Sequence, residues 1–213
     1  MNIIIPSIEI IIFRAEGIFV QQNMISGSRR RITIRDMVMC ALFTALITAG
    51  AFIKIPVPVV PFTLQFLFTM LAGLLLGGRL GAVSTGVYTV LGLVGLPIFA
   101  EGGGIWYIFK PSFGYIIGFI IAAYVTGRLV EKMPELKFVK ILAANFAGLL
   151  IVYAMGMVYY YVICNYVINT PIGFWPLFLY CFLMAVPGDI LLCFLAAFLT
   201  KRIKPVYDRM RAN

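Results

Sequence analysis

The chain has 213 residues, of which 62% are apolar and 12% are charged, and its net charge is +9. Soluble domains carry about a quarter charged residues, so this composition excludes an ordinary soluble domain and indicates an integral membrane protein. The basic residues cluster at the ends of apolar segments, as the positive-inside rule requires, which argues against nucleic-acid binding. With no His and no CxxC pair, the four cysteines offer no zinc site, and we expect neither metal nor cofactor.

The first 31 residues differ from the rest of the chain. Residues 1–20 are rich in isoleucine but are interrupted by a proline and three charged residues. They therefore match neither a signal peptide nor a membrane span. We expect the natural start at Met24 and interpret residues 1–31 as an N-terminal extension that ends in a basic cytoplasmic segment.

Six apolar segments follow and predict an all-α integral membrane protein with six transmembrane helices. Their approximate bounds are Thr33 to Ile53, Phe62 to Gly77, Leu80 to Phe99, Ser112 to Leu129, Phe138 to Ile163 and Phe174 to Thr200. Three prolines between the first two segments are incompatible with helix there. The transmembrane domain is predicted over residues 32–203 and a basic cytoplasmic tail over residues 204–213.

The distribution of Lys and Arg supports six spans with both termini in the cytoplasm. On that topology the outer loops contain two cations, Lys54 and Lys110, against fourteen on the inner side. The fourteen are Arg29, Arg30, Arg31, Arg35, Arg79, Arg128, Lys132, Lys137, Lys140, Lys201, Arg202, Lys204, Arg209 and Arg211. The same topology brings the proline-rich loop, the glycine-rich loop and residues 165–171 together on the outer face.

The loop from Glu101 to Tyr115 has the composition of a binding site. It contains three consecutive glycines, which allow close approach of the backbone, followed by two aromatic residues. We predict that Trp106 and Tyr107 pack against a ligand ring, although Trp106 is equally suited to anchoring at the membrane interface. Glu101 either binds the ligand or faces water.

Three further residues are predicted to contact a ligand near the outer face. Thr63 and Gln65 begin the second segment, where the first outer loop folds over, and offer polar contacts. Tyr115 lies at the start of the fourth segment, where it either lines the same cavity or packs in the core.

Asp189 is the only acidic residue deep within a predicted span. A carboxylate inside a bilayer is costly unless donors surround it, and Pro187-Gly188 before it interrupts the helical hydrogen-bond ladder. One interpretation is a structural bond to a Tyr or Asn of a neighbouring helix. The interpretation we prefer is that Asp189 accepts hydrogen bonds from N–H groups of a ligand.

Small residues recur at helix-packing spacing in three segments. They are Ala41, Ala45 and Ala49; Gly73, Gly77 and Gly81; and Gly114 and Gly118. Each stripe is suited to packing within the protein. The alanine stripe of the first segment is the best candidate for contact with an external partner.

Three motifs together resemble the BioY family, whose members are substrate-binding S components of energy-coupling factor (ECF) vitamin transporters. They are residues 55–65 (IPVPVVPFTLQ), residues 110–119 (KPSFGYIIGF) after the glycine run, and residues 185–189 (AVPGD). The resemblance extends from about Arg35 to Thr200.

The resemblance implies a compact bundle of six helices that binds biotin near the outer face, in the bacterial cytoplasmic (plasma) membrane. It also implies three partner chains, one T component and two ATP-binding cassette ATPases. In that family the alanine motif that meets the T component corresponds to Ala41 and Ala45. The family's Pro-Gly-Asp aspartate corresponds to Asp189, which would accept from the ureido N–H groups of biotin.

One position departs from the family pattern. Members commonly have a lysine three residues after the aspartate, where this chain has Leu192. A substrate carboxylate then needs another counter-charge, for which Lys110, Lys54 and the start of the fourth helix are candidates.

Uptake of biotin as an S component is therefore the predicted function. An S component for another small ring-bearing vitamin or metabolite is the alternative. The chain has no G-x-x-x-x-G-K-[ST] stretch to bind ATP, so energy coupling requires other subunits. With no His and no Gly-x-Ser-x-Gly, an intramembrane enzyme is a remote possibility, and we predict no catalytic residues.

Overall fold

Long apolar stretches form the helices of the structure, a computed structural model that describes residues 32–55, 62–183 and 185–212. The helices are α1 Ile34–Phe52, α2 Gln65–Leu76, α3 Gly78–Val94, α4 Phe113–Glu131, α5 Phe138–Val162, α6 Phe174–Phe178 and α7 Val186–Ala212. The predictions for residues 1–31, including the start at Met24, and for most of the proline-rich loop lie outside the described residues.

Short elements connect the helices. Two-residue strands, β1 Lys54–Ile55 and β2 Phe62–Thr63, pair antiparallel with Lys54 opposite Thr63. A 3₁₀ helix covers Ile105–Phe109 in the glycine-rich loop. π-helical turns cover Ile163–Val167, after α5, and Leu179–Leu183, after α6.

The all-helical prediction is confirmed, and the two-residue strands are its one small exception among the described residues. In the part of the chain that the structure describes, four helical stretches are long and apolar enough to cross a membrane: Ile34–Phe52, Phe113–Glu131, Phe138–Val167 and Phe174–Arg209. The second and third segments are shorter, because the chain reverses between α2 and α3 at Gly77, whose φ is +92°. That left-handed conformation favours glycine.

The sixth segment is two helices rather than the single one predicted. The break lies N-terminal to Pro187-Gly188, at the π-helical turn Leu179–Leu183, and a new helix begins at Val186. Pro187 therefore stands in the first turn of α7, where a missing N–H is no loss. The helix also continues beyond the predicted end at Thr200, through Pro205, to Ala212.

The glycine stripes of the second, third and fourth segments serve packing within the protein. A Cβ added at Gly81 would lie 2.6 Å from Cα of Gly73, so α2 and α3 are in backbone contact. A Cβ at Gly118 would lie 3.0 Å from Cα of Val152, which brings α4 close to α5.

Two apolar clusters fill the interior. The larger is formed mainly by α2, α4, α5 and α7 and includes Met70, Leu74, Ala122, Ile141, Cys193 and Ala196. The smaller lies beneath the glycine-rich loop and consists of Ile47, Tyr88, Phe99, Tyr107, Phe113 and Ile116. Together they fix the starts of α2, α4 and α7 around a cavity.

Candidate functional site

A cavity lies among the starts of α2, α4 and α7. Counted with its open mouth and the solvent space there, it contains about 680 Å³ free of protein atoms. Its lining residues are Thr63, Gln65, Phe66, Ala100, Tyr107, Ser112, Tyr115, Ile116, Phe119, Val152, Tyr153, Cys181, Ala185 and Asp189. Aromatic and aliphatic walls with a few polar groups are typical of a site for a small ring-bearing ligand.

Asp189 brings a carboxylate to this cavity from the first turn of α7. The side chain is buried, and its Oδ2 accepts a hydrogen bond from the Tyr153 hydroxyl at 2.5 Å. This bond to a neighbouring helix is the structural role considered for Asp189 from the sequence. Because an ionised carboxylate has about four acceptor positions, the bond leaves capacity for a ligand as well.

Tyr153 and Tyr115 form an aromatic wall beside Asp189. Their rings are perpendicular with centroids 6.0 Å apart, and the Tyr153 ring also contacts Phe182 at 5.3 Å. The Tyr115 hydroxyl donates to the carbonyl of Cys181 at 3.5 Å. Gly156 on α5 allows this arrangement, since a Cβ there would lie 2.5 Å from the Tyr115 ring.

The glycine-rich loop contributes Tyr107. Gly102 and Gly104 have φ of +109° and +103°, conformations that favour glycine, and Phe99 pairs with Gly102 across the turn. These bends let the 3₁₀ helix place Tyr107 inside, with its ring 4.5 Å from Phe99. Burial raises the pKa of Tyr107, so its hydroxyl remains a neutral donor.

Three of the predicted contacts in this loop do not line the cavity. Trp106 is 78% exposed, and its ring is tilted against that of Phe109 with the centroids 5.8 Å apart. Lys110 and Glu101 form a surface ion pair at 3.1 Å, and the Lys110 ammonium lies 4.9 Å from the Tyr107 ring centroid.

Gln65 and Ser112 present polar atoms to the cavity that have no hydrogen-bond partner among the described residues. Gln65 is the first residue of α2 and is 4% exposed. Its amide lies near the hydroxyl of Tyr88, which donates to the carbonyl of Ile98 at 3.2 Å. Ser112 precedes α4 as its N-cap without capping it, and its hydroxyl lies near that of Tyr107.

Leu192 stands where members of the BioY family commonly have a lysine. It belongs to the larger apolar cluster and does not line the cavity. The lining residues include neither Lys nor Arg within the part of the chain that the structure describes. Asp189 thus has no cationic partner at the cavity wall.

Comparison with known proteins assigns the family. The model of the BioY family matches residues 23–209. The chain belongs to the BioY family. Together with its long apolar helices, this membership makes it a multi-pass protein of the cytoplasmic membrane.

Individual relatives agree with the family match. A probable biotin transporter BioY of Lysinibacillus sphaericus is 45% identical over 177 residues, which cover 83% of this chain and 90% of the relative. The biotin transporter BioY of Thermotoga maritima is 43% identical over 125 residues, covering 58% of this chain and 73% of the relative. A crystal structure of the S-component for biotin from an ECF-type ABC transporter superposes with a TM-score of 0.60 at 28% identity. That match covers 81% of this chain and 92% of the crystallised one.

Sequence reasoning about this BioY-family chain missed several lining residues, above all Tyr153. It lies in α5, whose 25 residues are apolar almost throughout, so no charged neighbour marks it. The signal available was spacing: Asn145, Leu149, Tyr153 and Gly156 follow one another at intervals of four, four and three residues and are all buried. Ser112 belongs to the motif of residues 110–119, but the motif does not predict that its side chain lines the cavity.

A second surface of the BioY-family chain lies on α1. Ala41, Ala45 and Ala49, spaced four residues apart, are all exposed, so no described part of the chain covers this stripe. The flanking Leu42 and Val38 are exposed as well. The result is a flat, apolar helix face open to lipid or to another membrane protein.

Proposed function

We propose that this protein binds biotin and mediates its uptake across the cytoplasmic membrane, as the S component of an ECF transporter. The observation that carries the proposal is the cavity among the starts of α2, α4 and α7, with its buried carboxylate and aromatic walls. It occurs in a BioY-family chain similar to a crystallised S-component for biotin.

The chemistry of the cavity suits a bicyclic urea with an apolar chain. Asp189 would accept from the ureido N–H groups, since bonds between N–H donors and a carboxylate are charge-assisted. Tyr153 would hold the carboxylate in place through its hydroxyl. The rings of Tyr107, Tyr115, Phe66 and Phe119 would remove the apolar part of the ligand from water.

Capture of the ligand is the proposed role of the chain, without catalysis. We place both termini in the cytoplasm, supported by the fourteen cations on that side against Lys54 and Lys110 outside. The cavity would then open outward. Ala41 and Ala45 on the exposed stripe of α1 would meet a T component, and two ATPases would supply the energy.

Uptake of labelled biotin tests this proposal. A bacterial host that lacks its own biotin uptake would express the chain with a T component and two ATPases. We expect uptake above that of the host alone, competed by unlabelled biotin but not by an unrelated vitamin. Competition by another ring-bearing vitamin, with no effect of biotin, would overturn the substrate and favour the alternative S component.

A further inference from the structure

The carboxylate of the substrate poses a charge problem in this cavity. This inference rests on the proposed function, because biotin carries an anionic carboxylate at the end of its aliphatic chain. The cavity already contains Asp189, and among the described lining residues no Lys or Arg balances a second negative charge. Two carboxylates in one poorly hydrated site repel each other unless donors stabilise both.

The cations of the outer loops are occupied elsewhere. Lys110 pairs with the Glu101 carboxylate and also donates to its carbonyl, both at 3.1 Å. Lys54 donates to the carbonyl of Ala100 at 3.0 Å and is exposed. Neither side chain is among the residues that line the cavity, so neither supplies a counter-charge inside it.

Two neutral donors are available in their place. Gln65 Nε2 and Ser112 Oγ are buried atoms at the cavity that make no hydrogen bond of good geometry among the described residues, although they lie near the hydroxyls of Tyr88 and Tyr107. A buried donor without a partner costs free energy, so such groups in a cavity indicate a ligand that completes their bonds. An amide N–H and a hydroxyl both donate to an anionic oxygen.

The backbone around these two donors also favours a negatively charged group. Gln65 is the first residue of α2, which has 12 residues, and Ser112 is the N-cap of α4, which has 19. Helix starts carry partial positive charge and unpaired N–H groups, which stabilise anions. No acidic residue occupies the first turn of either helix, whereas Asp189 occupies that of α7.

We propose that the carboxylate of the substrate is bound by the Gln65 amide and the Ser112 hydroxyl at the starts of α2 and α4, without a cation. The ring end of the substrate then lies against Asp189. The site divides into an acceptor end on α7 and a donor end on α2 and α4.

A comparison of two ligands that differ only in the carboxylate tests which end of the site binds it. We would measure the Kd of biotin and of biotinol, its neutral primary alcohol, for purified wild type and for Gln65→Met and Ser112→Ala. Bonds to a charged oxygen are roughly twice as strong as those to a neutral one. Each variant is therefore expected to weaken biotin about tenfold and biotinol less than threefold. Thermal unfolding of each variant would verify that the helices remain folded.

Lys110→Met is the control, because Lys110 is the alternative counter-charge. We expect it to leave both Kd values within threefold of wild type. Selective loss of biotin binding in Lys110→Met, or equal losses of biotin and biotinol in Gln65→Met and Ser112→Ala, would overturn the inference alone. A wild type that binds neither ligand would overturn the proposed function and the inference with it.

Discussion

At the scale of single residues, the pair of Asp189 and Tyr153 is central to the proposed biotin site. The hydroxyl of Tyr153 on α5 donates to Asp189 on α7, so the pair links two helices and orients the carboxylate. A buried carboxylate that accepts one hydrogen bond from the protein has acceptor positions left for a ligand, and the donor keeps its orientation fixed. Tyr153 is therefore a positioning residue in this account.

Tyr153→Phe should weaken biotin binding by about tenfold, because a hydrogen bond to a charged group contributes about 1.5–3 kcal/mol. The ring and its contacts with Tyr115 and Phe182 would be retained. Tyr161→Phe is the matched control, since Tyr161 lies on the same helix but is 39% exposed. Titration of both variants with labelled biotin is the measurement, and a Kd of Tyr153→Phe equal to that of Tyr161→Phe would contradict the positioning role.

At the scale of elements, the turn between α2 and α3 is a point where three helices, α2, α3 and α4, are joined. Gly77 reverses the chain, and its neighbour Gly78 donates its N–H to the Glu131 carboxylate at 2.9 Å. Glu131, at the end of α4, thus caps the start of α3 and also pairs with Arg128 at 3.0 Å. The three helices are held together by backbone contact and by this one side chain.

Gly81→Ala should lower the stability of the protein by about 1–3 kcal/mol, the usual cost of overpacking. The added Cβ would lie 2.6 and 2.7 Å from backbone atoms of Gly73. This clash is relieved only if α2 and α3 move apart. Gly86→Ala on the same helix is the control, because nothing lies within 4 Å of its Cβ. Thermal unfolding in detergent compares the two, and equal midpoints would show that the contact of α2 with α3 does not limit stability.

The elements themselves were predictable where the signal is local, and less so where it depends on the rest of the fold. The length of the apolar segments predicts the positions of the helices. Pro187 predicts an interruption within the sixth helix, whereas in the structure it stands in the first turn of a new helix. Trp106 and Tyr107 were both predicted as ligand contacts. In a 3₁₀ helix neighbouring side chains point about 120° apart, so Tyr107 is inside while Trp106 is 78% exposed. Spacing could place Tyr153 on the buried face of α5, but its bond to Asp189 could not be predicted because Asp189 is 36 residues away in the sequence.

At the scale of the whole molecule, the proposed function assigns separate tasks to two surfaces. The cavity at the starts of α2, α4 and α7 is the proposed ligand site, whereas the exposed alanine stripe of α1 is open on the outside of the bundle. A change on one surface should leave the other intact. The charge pattern and the alanine spacing were both readable from sequence, since neither depends on how the side chains pack.

Ala45→Trp should prevent assembly with the T component, because a large ring on a flat alanine stripe keeps the two helices apart. Biotin binding by the isolated chain should be unchanged. Ala154→Trp is the control, since Ala154 is also an exposed alanine but lies on α5. Co-purification with a tagged T component distinguishes them, and full recovery of the complex with Ala45→Trp would exclude the α1 stripe as the contact.

The account as a whole depends on Asp189 at a biotin site, and equilibrium binding of labelled biotin to the purified chain tests it most directly. Wild type should bind at submicromolar biotin, and Asp189→Asn should weaken binding tenfold or more, in line with the loss of a charge-assisted bond. Asp208→Asn, an exposed change on the same helix, should bind like wild type. A wild type that stays empty at micromolar biotin, or an Asp189→Asn variant that binds as tightly as Asp208→Asn, would contradict the account.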